Sequence, residues 1–245
     1  MPNCAMPNCA MVVGAGSGTG AEVAKLLAAE GYAVVLARRD VASLAPLVAE
    51  IEQRGGSALA VAADASDEAQ VAALFDTAEQ TYKTPALVVF NVASISMGHV
   101  AATDLVQFDE MWRASALGGF LIGREAARRM LPRRSGTILF IGATASVKSS
   151  AGFAAFGAGK QGLRAVAGSL ARELGPEGIH VGHLVIDGII DVPRVHERMP
   201  EIAAAKGEGG LIDPASIAAA LLWLHRQPRN AWTFELDLRP FNEPW

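Results

Sequence analysis

Apolar residues recur along this chain in two patterns. Short, nearly continuous apolar runs cover Met11–Val13, Ala33–Ala37, Ala58–Ala62, Leu87–Phe90, Thr137–Ile141, Ile179–Ile186 and Trp232–Leu236. Runs of that length and character read as strands buried on both faces. Between them lie longer stretches with helical periodicity: Ala21–Glu30, Val41–Gln53, part of Asp64–Lys83, Asp104–Met130, Gly152–Leu174 and Pro214–Gln227. Ser66 is the expected N-cap of the third helix, with Asp67 and Glu68 at the positive end of its dipole. Gly175-Pro176 stops the second long helix. The polar stretch Asp187–Gly210 is expected to form a mobile loop with one short helix around Val195–Ala204. Strand–helix alternation without a linker predicts one doubly wound α/β domain, a parallel sheet of about seven strands with helices on both faces.

Composition agrees with that architecture. Hydrophobic residues make up 51% of the 245 and charged residues 19%, so there is ample apolar surface for a sheet covered on both sides. Some of the surplus is expected to be buried between subunits. A net charge of −4 speaks against nucleic acid or an anionic membrane as the main partner. No apolar run approaches the roughly eighteen residues of a membrane span. The N-terminus has no basic region leading into an apolar core, so a cytoplasmic location is expected. Cys4 and Cys9 sit in a tandem Met-Pro-Asn-Cys-Ala repeat with no histidine or further cysteine nearby, so no metal site is expected. Residues 1–10 are read as a duplicated segment outside the core and 11–245 as the domain, with folding starting near Cys9.

The first strand runs into Gly14-Ala15-Gly16-Ser17-Gly18-Thr19-Gly20, and a helix follows. Glycines there let the backbone turn tightly and approach a pyrophosphate, whose charge the helix N-terminus favours. The domain therefore reads as Rossmann-type and dinucleotide-binding. The end of the second strand selects the nucleotide: an acid hydrogen-bonds the ribose of NAD, whereas arginine accommodates the 2′-phosphate of NADP. Arg38-Arg39 stands at that place, so NADP(H) is expected over NAD(H), with Arg38 the first choice for the phosphate.

From about Met11 to Trp245 the chain resembles the short-chain dehydrogenases/reductases. The spacing Gly14-x-x-x-Gly18-x-Gly20 matches their cofactor motif, and Asp64 the aspartate that meets adenine in that family. Asn91-Val92-Ala93-Ser94 stands in place of the family's Asn-Asn-Ala-Gly, and Leu170–Val181 reads like its passage into the sixth strand. The resemblance implies an oxidoreductase acting on a small carbonyl or alcohol. It implies cofactor contacts from Gly14, Gly16, Ser17, Gly18, Thr19, Gly20, Asp64, Asn91, Ala93 and Lys160. It also implies a homodimer or homotetramer built through the two long helices. Asp187-Gly188 replaces the family's Pro-Gly, which puts Asp187 at the carboxamide end of the cofactor.

The catalytic set departs from the family. Its Tyr-x-x-x-Lys is here Phe156-Gly-Ala-Gly-Lys160; the serine position, thirteen residues earlier, is Ala143; the asparagine position is Ser115. Only Lys160 matches, and the family lysine also binds the nicotinamide ribose. The enoyl-reductase spacing places its tyrosine at Phe153 and fails as well. Loss of a positioned general acid costs about 10²–10⁴ in rate. Tyr32 and Tyr82 lie far along the chain from this site. Substitutes drawn from the sequence are Thr144, Ser115, Ser94, Ser96, His183 and Asp187, with His183 titrating nearest neutrality. Arg194, His196 and Arg198, together with Lys148, read either as cations that attract an anionic substrate or as the solvated charges of a mobile loop. Arg124, Arg128, Arg129, Arg133 and Arg134 crowd a helix C-terminus, and no partner is assigned to them. Two readings stay open: an NADP-dependent oxidoreductase with a rearranged acid/base site, and a non-catalytic NADP(H)-binding sensor or assembly subunit.

Overall fold

The computed structural model describes residues 8–92 and 94–244. Strands β1 (Cys9–Val13), β2 (Ala33–Arg38), β3 (Ser57–Ala62), β4 (Leu87–Phe90), β5 (Gly136–Ile141), β6 (Ile179–Ile186) and β7 (Glu235–Leu238) form one sheet. Their order is β3-β2-β1-β4-β5-β6-β7, and every pairing is parallel. Strand order reverses between β1 and β4, the switch point where ligands of open α/β sheets bind.

Side-chain alternation splits the core in two. Cys9, Met11 and Val13 face a layer formed by α3 (Glu68–Thr81), α5 (Gly118–Met130) and α6 (Ala154–Leu174). Ala10 and Val12 face a layer formed by α1 (Thr19–Ala29), α2 (Ala45–Gln53) and α9 (Pro214–His225). The remaining helices are α4 (Leu105–Trp112), α7 (Pro193–Arg198) and α8 (Pro200–Lys206). No described helix is long and apolar enough to cross a membrane.

Several boundaries differ from the sequence reading. Cys9 and Ala10 are fully buried in β1, so the core takes in the last two residues of the repeat; Cys4 lies outside the described residues. Burial pushes the Cys9 thiol up to about 12, which leaves it unreactive. Asp67, not Ser66, caps α3, because its carboxylate accepts from Gln70 N. The last strand starts at Glu235, and the 187–210 loop holds two short helices.

Asp104–Met130 is not one regular helix. It passes from α4 through a π turn, Arg113–Leu117, into α5. Close packing explains the interruption. A Cβ on Gly119 would sit 2.1 Å from Leu163 Cδ1, and one on Gly123 2.5 Å from Leu170 Cδ1. The two glycines let α5 lie directly on α6, and the extra residue in the turn takes up the mismatch with α4. The crowded arginines turn out to be structural. Arg129 bridges Asp76 and Glu79 of α3 and Glu125 of its own helix, while Arg124 pairs with Glu68. Arg128 pairs with Glu125, Arg133 donates to the carbonyls of Thr84 and Pro85, and Arg134 pairs with Glu177.

At the edge of the sheet opposite the switch point, the Tyr32 hydroxyl meets His225 Nε2 and His225 Nδ1 meets Thr137 Oγ1, both at 2.9 Å. His180 stacks on Trp232 with centroids 4.9 Å apart. Burial lowers both histidines, and Arg226 and His180 add to the shift that takes His225 to about 4. Between about 6.5 and 4 the unfolded chain therefore binds protons that the fold refuses. Stability is full above about pH 6.5 and declines as pH falls toward 4, by about 3 kcal/mol for His225 at most. Urea melts at pH 7 and 4.5 should show this decline, with a shallower slope in His225→Gln. An equal slope in that variant would mean that His225 does not carry the effect.

Candidate functional site

The glycine loop is fixed by approach distances that exclude side chains. Gly14 has φ +88°, and a Cβ there would lie 2.8 Å from the Asn91 carbonyl carbon. Asn91 closes the contact from the other side: its Nδ2 donates to Gly14 O at 3.0 Å and its backbone N–H to Val13 O. A Cβ on Gly20 would lie 2.8 Å from Gly14 O, so the start of α1 folds tightly back on the loop. Gly18 caps α1 without a side-chain hydrogen bond; Ala21 N–H donates to Gly18 O, and the Thr19 and Gly20 amides are left for an anion. Ser17 is exposed and Thr19 buried.

Above this loop lies a cleft of about 610 Å³. Its wall includes Gly14, Gly16, Ser17, Arg38, Arg39, Asp64, Asn91 and Ser94, so most of the expected cofactor residues converge there. Ala93 lies outside the described residues. Arg38 is half-buried at the end of β2, with Nη1 3.4 Å from where a Gly16 Cβ would stand. No carboxylate among the described residues pairs with it. Asp64 accepts from the Ser66 N–H and hydroxyl through one oxygen, which closes the turn into α3. These features fit a dinucleotide: a cradle too close for any Cβ, open helix amides, and a guanidinium without an acidic partner among the described residues.

Phe156, at the position of the expected acid, and Lys160 are not among the residues that line this cleft. Phe156 is buried in an apolar cluster with Met111, Ala145 and Ala155, and its ring stands at 60° to that of Phe153. Four residues on, Lys160 is 3% exposed and its Nζ donates to Ile141 O at 2.9 Å. Burial pulls its ammonium down to about 8. Ser115 faces α6 from the π turn, since a Cβ on Gly159 would come 3.2 Å from its own. Its buried Oγ has no hydrogen-bond partner among the described residues.

Thr144 donates its hydroxyl hydrogen to Asp187 Oδ1 at 2.6 Å, and Arg239 pairs with the other Asp187 oxygen. The hydrogen that would polarise a substrate carbonyl is therefore committed elsewhere. His183 is fully buried in β6. Its Nδ1 meets Glu235 at 2.9 Å, and Arg164 grips the same carboxylate through two 2.7 Å contacts. Arg164, followed by His183, holds the Glu235 carboxyl below the usual range; burial lowers His183. Its Nε2 lies 2.4 Å from where a Gly142 Cβ would be, inside the protein beneath the 142–146 loop. The structure thus places His183 as an internal support, not as a proton donor to the cleft.

In the 187–210 segment, His196 pairs with Asp191, while Arg194 and Arg198 are exposed; Lys148, in the loop before α6, is exposed as well. Val192 packs over the glycine loop, with Cγ1 3.0 Å from a Gly18 Cβ. Sequence reasoning missed Arg113, Glu110 and Ser66 in the cleft wall, and Arg239, Glu235 and Arg164 behind it. The π turn that lines the wall leaves no mark in residue spacing.

The short chain dehydrogenase family profile matches residues 8–202. Carbonyl reductase family member 4 of Danio rerio is 30% identical over 228 residues, covering 91% of this chain and 93% of that protein. The NADPH-dependent aldehyde reductase-like chloroplastic protein of Arabidopsis thaliana is 30% identical over 183 residues, covering 69% and 68%. Among solved structures, a short-chain dehydrogenase from Rhodopseudomonas palustris superposes with a TM-score of 0.81 at 42% identity, covering 96% of this chain and 99% of that one. A metagenomic short-chain oxidoreductase in complex with NADP gives 0.80 at 26% identity, with 95% and 97% covered. With the sheet order, the glycine cradle and these matches in agreement, the chain belongs to the short-chain dehydrogenase/reductase family.

Proposed function

We propose that this protein binds NADP(H) at the switch point and acts as a slow oxidoreductase on a small carbonyl or alcohol, without a phenolic acid. The observation that carries the nucleotide preference is Arg38, half-buried beside the glycine loop with no acidic partner among the described residues. An NADPH-dependent aldehyde reductase-like relative and an NADP-bound structural neighbour point the same way. Gly14, Gly16, Gly18 and Gly20 bring backbone to the pyrophosphate, Arg39 flanks Arg38, and Asp64 and Asn91 shape the walls. When bound, the nicotinamide supplies or accepts a hydride.

Reduction also needs a proton. Phe156 has none, Thr144 has given its hydrogen to Asp187, and His183 is sealed below the loop. Lys160 is the group at this end that carries a proton at neutral pH and, pulled to about 8, can release it. Ser115 lies on the neighbouring turn with an unpartnered hydroxyl suited to orienting a water. Self-association through the α4–α5 face belongs to the same proposal, because Leu105, Val106, Trp112 and Phe120 are exposed there. The second reading, a non-catalytic NADP(H)-binding protein, draws on Phe156, which fills the acid's place with a packed apolar ring.

Fluorescence titration of the wild type should show tight NADPH binding. Arg38→Ala should weaken NADPH by about tenfold or more and leave NADH nearly unchanged. Equal losses for both would remove the assigned phosphate contact. Turnover against a carbonyl panel should be slow and saturable, highest below about pH 8, and should fall above it as Lys160 loses its proton. Phe156→Tyr should raise it by about 10². Tight NADPH binding with no turnover from either protein would select the non-catalytic reading. Light scattering at micromolar concentration should give a dimer or tetramer, and a monomer would end the assembly proposal.

A further inference from the structure

The adenosine end of the cleft contains a residue that neither the family motifs nor the nucleotide rules assign. Moving from the glycine loop past the end of β2 toward β3, a dinucleotide presents pyrophosphate, then ribose, then base. The base would therefore lie against the Asp64–Ser66 turn that follows β3. No described residue lining the cleft is aromatic. The planar cations in the lining are Arg38, Arg39 and Arg113. Arg38 is taken up beside Gly16, and Arg39 is exposed at the rim.

Arg113 stands on the opposite wall, where the π turn begins. Its Nη2 lies 3.5 Å from Ser66 O and its Nε 4.0 Å from Asp109 Oδ2, both at the outer limit of such contacts. The side chain is 46% exposed, so the face of the guanidinium is not consumed by either partner. Glu110 lines the same wall and Asp109 precedes it, so this side carries no surplus positive charge to draw a phosphate. Shape and charge together suit a purine face better than an anion, and guanidinium planes stack on bases.

We infer that Arg113 is a cofactor-contacting residue that stacks on the adenine ring and supports nucleotide binding independently of the 2′-phosphate. The inference rests on NADP(H) occupying this cleft, as proposed above. Arg113→Ala and Arg113→Lys would be titrated with NADPH and NADH by fluorescence and with ADP by calorimetry, alongside the wild type. Thermal melts would show that both variants are folded. Arg113→Ala should weaken all three nucleotides by a similar factor of about five, and Arg113→Lys, which keeps the charge but loses the plane, should not restore them. A loss confined to NADPH, full recovery with lysine, or no loss would each overturn stacking while leaving the cleft assignment intact. Failure of the wild type to bind any of the three would overturn the cleft assignment and this inference with it.

Discussion

The backbone of the glycine loop lies against the end of β4 with no room for a side chain between them, and much of the site follows from that contact. Gly14 is held by its own φ, by the Asn91 amide and by the backbone of residues 91 and 92. Gly14 N–H also donates to Ala37 O, so the loop is tied to the ends of both strands that flank β1. These ties set where α1 begins and hence where its uncapped amides stand. They also fix the distance between the loop and Arg38, which ends the strand holding Ala37. A cofactor cleft built from main chain in this way tolerates wide change elsewhere, because its affinity depends on few side chains.

The region around Phe156 and Lys160 is built from side chains instead. Thr144, Asp187 and Arg239 form a linked set in which the Thr144 hydroxyl and Arg239 Nη2 each donate to one Asp187 oxygen. His183, Glu235 and Arg164 form a second set that runs from the fully buried imidazole out to a half-exposed guanidinium. Both hold the 142–146 and 187 loops in place and present few free donors to a ligand. Lys160 is the exception. Its ammonium is buried against a single carbonyl, and desolvation leaves its proton less tightly held than in water.

Helix packing connects the two ends. Gly119 and Gly123 bring α5 down onto α6, and the π turn between α4 and α5 absorbs the resulting offset. That turn carries Ser115 against Gly159 of α6 on one side and Arg113 into the cleft wall on the other. One packing requirement in the core thereby positions residues at both ends of the site.

Much of this was legible in the residues alone. Near-continuous apolar runs between amphipathic stretches specify a parallel sheet between two helical layers, because only double burial satisfies strands without a polar face. The glycine spacing, Arg38-Arg39 and the Phe156–Lys160 segment likewise announce a nucleotide cleft and the missing phenol, since those roles depend on residue type at fixed places along single elements. The partners of His183, Thr144 and the α5 arginines were not legible. Glu235 is 52 residues from His183, Asp187 is 43 from Thr144, and the acids of α3 are 50 to 56 from the α5 arginines, so only the folded chain brings them together. Tertiary structure also turned His183 from a candidate donor into a buried support. It also placed Arg113 in the cleft through a helix irregularity that periodicity does not encode. Local chemistry decides the elements and their motifs; which polar groups remain free to meet a ligand is decided by long-range contacts.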